Sequence, residues 1–83
     1  MEKGAALTKI VTVLQPYLGA TMAEASTRAH CEKLGIAGEV VSAEQLAALL
    51  TKLGSGLSVF VGREQSGKVM NEIRDALGLG RPA

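Results

Sequence analysis

Ser42-Ala43-Glu44-Gln45-Leu46-Ala47-Ala48-Leu49-Leu50-Thr51-Lys52-Leu53 is followed by Gly54-Ser55-Gly56 and then by Leu57-Ser58-Val59-Phe60-Val61. How this stretch folds decides between an all-helical domain and a mixed one. Ser42 and Gln45 have capping-box spacing, in which each side chain satisfies a backbone donor at a helix entry. Leu46, Leu49, Leu50 and Leu53 then recur at helical period and make the strongest apolar stripe in the chain. The spacing predicts a helix over 42–53, ended by Gly54, with Gly54-Ser55-Gly56 as a turn. Leu57 to Val61 is the one stretch with real β propensity. A lone strand needs a partner, and Glu39-Val40-Val41 is the other candidate. Tertiary context overrides propensities of this size, so 56–61 is read as a short buried helix in preference to a β segment at 57–61.

Upstream, Leu7, Ile10, Val11, Leu14 and Leu18 form one apolar stripe, which predicts a helix over 3–18. Thr8, Lys9, Thr12 and Gln15 take its other side. Pro16 lacks a backbone donor, so a kink or break is expected there, and Gly19 supplies a stop. Thr21 and Glu24 have capping-box spacing for a second helix over 21–34, with Gly35 just past its end. Its interior is small and ambiguous: Met22, Ala25 and Ala29 make one stripe, and Thr27, His30, Cys31 and Leu34 another. Ile36, Val40 and Val41 are expected to pin the connector to the core. Downstream, a helix over 63–77 should turn Val69 or Met70, Ile73 and Leu77 inward, stop at Gly78 and leave 79–83 as a frayed tail. No internal repeat is apparent; Lys33-Leu34-Gly35 matches Lys52-Leu53-Gly54, but that is a common helix ending. The expectation is one all-α domain over 1–83, a compact bundle of four to five short helices.

Composition limits the function classes. Eighty-three residues make room for one domain. Tyr17 and Phe60 are the only aromatic residues, so the core must be aliphatic. A net charge of +1, with both signs spread along the chain, is not the footprint of a nucleic-acid binder or a membrane-surface protein. No apolar run approaches the ~20 residues that span a bilayer. Glu2 beside Lys3, with no continuous apolar run after them, does not read as a signal peptide. One cysteine, Cys31, excludes an intramolecular disulfide, and a cytoplasmic setting is the default expectation.

Several motifs invite chemistry and fall short of it. Gly62-Arg63-Glu64-Gln65-Ser66-Gly67-Lys68-Val69 follows the phosphate-loop pattern except at its last position. There Val69 replaces the hydroxyl that ligates Mg²⁺. A polar helix entry is the simpler reading. His30-Cys31 is the one His/Cys pair, and two adjacent ligands do not make a four-ligand metal site. Their side chains also diverge by ~100° on a helix, so they cannot act as a nucleophile–base pair. The glutamates are scattered: Glu24 and Glu44 suit helix entries, and Glu32 and Glu64 suit solvated faces. No catalytic residue, cofactor or metal ligand is expected.

What remains is contact with another protein. Leu57 to Val61 carries no charge, and the second helix has two semi-apolar faces; exposed apolar surface of this kind marks contact sites. The expected role is a non-enzymatic, self-associating interaction module that works by apolar packing. Leu57, Val59 and Phe60 would lie at the interface, and Arg28, Glu32, Arg63, Glu64, Arg74 and Asp75 would be rim charges that set register. By size and helix count the chain is comparable to small helical modules of signalling assemblies, such as death-fold-like and SAM-like domains, which implies an adaptor role by architectural analogy alone. The alternative is a small helical DNA-binding regulator. It is disfavoured by a long connector between the second and third helices and by few basic residues on either.

Overall fold

The computed structural model describes residues 2–36 and 38–79. They form four helices: α1 (Lys3–Leu18), α2 (Ala20–Lys33), α3 (Ala43–Val61) and α4 (Arg63–Leu77). α1 packs on α2 and α4, and α3 packs on the same two, so the helices close into a ring. Its extents are 32 × 31 × 19 Å. The short one matches about two helix layers at 8–10 Å spacing. The core is aliphatic. Ala6, Ile10 and Leu14 come from α1; Leu46, Leu49, Leu50, Leu53 and Leu57 from α3; Val69, Met70, Ile73 and Leu77 from α4. The predicted stripes of α3 and α4 therefore face inward, with both Val69 and Met70 buried; of the α1 stripe Ile10 and Leu14 are buried and Leu7, Val11 and Leu18 half-buried, while Ala6 joins the core.

The decisive stretch is one helix. Residues 57–61 form neither a β segment nor a separate helix, and Gly54 does not end α3. A terminating glycine adopts a left-handed φ, and neither Gly54 nor Gly56 does. α4 instead holds Gly54 in the helix. Ser66 Oγ donates to the Gly54 carbonyl at 2.9 Å, and a Cβ on Gly54 would lie 3.4 Å from Met70 Cγ. The leucine stripe runs on unbroken to Leu57. Only Leu57 is buried in this turn; Val59, about 200° around the helix from it, is 86 % exposed, and Phe60, beside Leu57 at the end of the helix, is 64 % exposed. At the other end the Ser42–Gln45 capping box is present: Gln45 N donates to Ser42 Oγ at 3.1 Å and Ser42 N to Gln45 Oε1 at 3.0 Å.

Three other local expectations change. α1 does not break at Pro16; it runs to Leu18 with the proline inside. Thr21 and Glu24 form no capping box, because α2 starts at Ala20 directly after Gly19 and Glu24 pairs with Arg28 at 2.6 Å instead. The buried face of α2 is Ala23, Thr27 and Cys31, with His30 and Leu34 half-buried, while Met22, Ala25 and Ala29 face outward. In the connector, Ile36 and Val41 are buried as expected but Val40 is 66 % exposed. Successive residues of extended chain point to opposite sides. The Val40 backbone instead forms an isolated antiparallel bridge with Glu2, beside Lys3 N donating to the Glu39 carbonyl at 2.7 Å. Of the expected tail, residues 80–83 lie outside the described residues.

The chain is a repeat after all, at a step of 43 residues, from Gly19 to Gly62. Each of these glycines alone joins two helices, at φ 83°, ψ 157° and φ 87°, ψ 163°. That region is essentially open to glycine only. Gly19 N donates to Gln15 O as Gly62 N does to Ser58 O. Both second helices end in a Schellman motif on a left-handed glycine. Gly35 N bonds Glu32 O and Ile36 N bonds Cys31 O; Gly78 N bonds Asp75 O and Leu79 N bonds Arg74 O. Every partner is displaced by the same step. Ala5, Leu7, Thr8 and Lys9 also recur as Ala48, Leu50, Thr51 and Lys52. The Lys-Leu-Gly match noticed in the sequence sits at a different step and corresponds to nothing structural. The two halves are α1–α2 and α3–α4, related so that the α1–α4 seam corresponds to the α2–α3 seam.

Candidate functional site

The repeat supplies an internal reference for every position in a seam. At α1–α4, α4 contributes Val69 and Ile73, both 0 % exposed, and α1 contributes half-buried Val13 and Tyr17. Tyr17 Oη donates to Glu72 Oε1 at 3.2 Å and bridges the two helices. Partial burial and then the negative Glu72 raise the Tyr17 phenol above its ordinary pKa. The equivalents of Val69, Ile73, Val13 and Tyr17 at α2–α3 are Ser26, His30, Gly56 and Phe60. Two small residues and an imidazole stand where the other seam is aliphatic. Phe60, without a hydroxyl to tether it, turns outward.

A pocket of about 220 Å³ opens there, lined by Leu14 and Leu18 from α1, Ser26 and His30 from α2, and Leu53, Gly56, Leu57 and Phe60 from α3. His30 Nε2 stands 3.8 Å from where a Gly56 Cβ would be. Burial lowers the His30 pKa, and the cationic Lys33 and Lys52 lower it further. A larger hollow of about 320 Å³ lies on the outer face of α1 and α2, but most of its polar side chains are already engaged. Thr8 and Thr12 donate to carbonyls of their own helix, at 2.8 Å each, and Glu24 and Arg28 hold each other.

The expected interface residues fall in separate places. Val59 and Phe60 are on the last turn of α3, and Arg63 and Glu64 follow just beyond Gly62, all exposed. Arg74 and Asp75 are eleven residues farther along α4, about 16 Å at 1.5 Å per residue. Arg28 and Glu32 are exposed on α2, with Arg28 engaged by Glu24. Leu57 faces the core. The phosphate-loop lookalike is helical from Arg63 onward, its amides engage in helix bonds from Ser66 on, and the Ser66 side chain is buried against α3, so it does not form the looped cradle of that motif. Cys31 is buried and burial raises its thiol pKa, with Lys3 opposing. Among the described residues no three His, Cys, Asp or Glu side chains cluster to hold a metal, and no helix is long and apolar enough to cross a membrane.

No known family, curated protein or solved structure matches this chain. The site is therefore read from its own geometry. From the sequence alone Gly56 reads as part of a turn, His30 as an insufficient metal ligand or base beside Cys31, and Ser26 as one small residue among several, because the pocket draws on three helices. The signal that exposes it is the 43-residue step, which sets Ser26, His30 and Gly56 against Val69, Ile73 and Val13.

Proposed function

We propose that this chain is a non-enzymatic protein-interaction module that self-associates through the last turn of α3, as a homotypic helical adaptor. The observation that carries this reading is the pair Val59 and Phe60, adjacent and mostly exposed on a small domain whose core is mainly aliphatic. Exposed aromatic and aliphatic side chains rimmed by charge are the usual make-up of contact surfaces, and Arg63 and Glu64 supply that rim. A two-fold pairing would set this turn against its own copy, where Arg63 of one chain can meet Glu64 of the other. A signalling role in the cytosol is the setting proposed for such a module, and the single buried thiol of Cys31 suits a reducing compartment.

Sedimentation across a concentration series tests this. The wild-type chain is expected to shift toward a dimer as concentration rises. Val59→Glu should abolish the shift, and Arg63→Glu should weaken it, both with unchanged helicity, since neither side chain is buried. A clean monomer at every concentration would overturn self-association.

A further inference from the structure

The α2–α3 seam is not merely a looser copy of the α1–α4 seam. The exchanges at its wall act together: Gly56 and Ser26 remove apolar volume, and His30 brings a titratable ring to the space they leave. Glycine inside a helix costs about 0.5–1 kcal/mol relative to alanine. Unlike Gly54, Gly56 has no neighbouring helix tight against it; a Cβ there would meet only His30, at ordinary van der Waals distance.

The pocket also has a direction. His30 faces Gly56, and Ser26 lines the same pocket as Phe60, so α2 and α3 run antiparallel along it. Lys33 and Lys52 then lie about one turn beyond the His30–Gly56 level, roughly 5 Å on and away from Phe60. One end of the pocket is leucine and phenylalanine; the other is the His30 imidazole, with Lys33 and Lys52 exposed outside the lining about one turn farther on. Both charged groups that act on His30 are cations, so an anion placed there would relieve their mutual repulsion and the cost of charging the buried ring. A volume near 220 Å³ is below the ~300–1,000 Å³ typical of drug-sized sites, which limits the occupant to a short molecule.

We propose that the α2–α3 seam binds a small hydrophobic carboxylate, with its apolar body between Leu57 and Phe60 and its carboxylate at His30 and Lys52. The pocket shares Phe60 with the proposed self-association surface, so binding is measured in Val59→Glu as well as in the wild type, and the test leaves Phe60 untouched.

Octanoate, kept below its micelle concentration, is the probe, and amide and imidazole chemical shifts are the readout. Saturable shifts are expected at Gly56, Ser26 and the His30 ring. Octylamine should give none, and 1-octanol should bind about tenfold more weakly, the equivalent of ~1.4 kcal/mol. Acetate, which lacks the chain, should not saturate. Lys52→Glu should weaken octanoate severalfold while leaving the circular dichroism spectrum unchanged. Gly56→Val fills the pocket with the residue of the closed seam and should abolish binding; Gly56→Ala, whose methyl reaches only ordinary van der Waals distance of His30, should weaken it and keeps the test alive if the valine variant does not fold. Absence of saturable shifts with octanoate would overturn the proposal. So would equal binding of 1-octanol or octylamine, or octanoate binding unchanged in a folded Gly56→Val or Gly56→Ala protein.

Discussion

The α1–α4 and α2–α3 seams occupy equivalent places in a repeated structure and have diverged in chemistry. One is closed by Val13, Val69 and Ile73 and tethered by Tyr17 to Glu72. The other carries Gly56, Ser26, His30 and Phe60 and opens into a pocket. The shared features are those that set the path of the chain: the junction glycines, the Schellman endings and the leucine rows. The differences include the side chains that decide whether a seam closes. Backbone geometry at the junctions and helix ends is therefore held in duplicate, while the side chains of the two walls differ.

The most disruptive way to break the comparison is at the junctions. Gly19→Ala and Gly62→Ala should each cost about 1–3 kcal/mol, because each forces a side chain into a glycine-only conformation although open space surrounds both. For a domain of this size, 2 kcal/mol corresponds to a fall in Tm of roughly 8–16 °C. Thermal melts should show similar losses at the two sites; a large loss at one and none at the other would mean that the halves are not mechanically equivalent.

Grafting the closed wall onto the open one is the next test. Ser26→Val, His30→Ile and Gly56→Val together should stabilise the fold by about 1–2 kcal/mol in urea titration, from lost helix glycine and gained apolar burial. Destabilisation would show that the two seams do not superpose at side-chain level.

The His30 dependence on pH is smaller and has a definite sign. Its folded pKa lies below the unfolded value of about 6.5, so the unfolded chain binds more protons. Stability is fully present above about pH 6.5 and is lost as pH falls through the folded pKa. The groups acting on the ring are Lys33 on α2 and Lys52 on α3, while α1 contributes only Leu14 and Leu18 to the pocket. Tm should fall on acidification from about pH 7.5 to 5.5, and His30→Gln should flatten that slope. A slope unchanged in His30→Gln would assign the effect to other groups.

The finest probe concerns the tether. In absorbance titration the Tyr17 phenol should ionise above its ordinary range near 10. Glu72→Gln should bring it part of the way back, since partial burial remains. No change would place the carboxylate too far away to bridge the helices.

Much of this was legible in the sequence. Leucine and isoleucine at helical spacing located α1, α3 and α4, because burial of a stripe is a strong one-dimensional signal. The Ser42–Gln45 cap was legible because its hydrogen bonds are local. Gly54 misled because a glycine ends a helix or admits a neighbouring helix, and only the approach of Met70 decides which. The repeat was hidden because its core pairs exchange size and polarity: Ala6 with Leu49, Thr27 with Met70, His30 with Ile73. Those exchanges compensate across the core in space and leave little identity along the chain. The pocket was unreadable for the same reason, since it exists only as a difference between two walls that fold together.

The one-residue junctions also set which length changes the chain can survive. An insertion beside Gly19 or Gly62 would rotate the following helix by about 100° and carry Ala23, Thr27 and Cys31, or Ser66, Val69 and Ile73, out of the core. Gly38 is exposed in the connector, with open space around it, where added residues cost only slowly growing loop entropy. Natural variants of this chain should therefore differ in length at the connector and keep both junctions at a single residue.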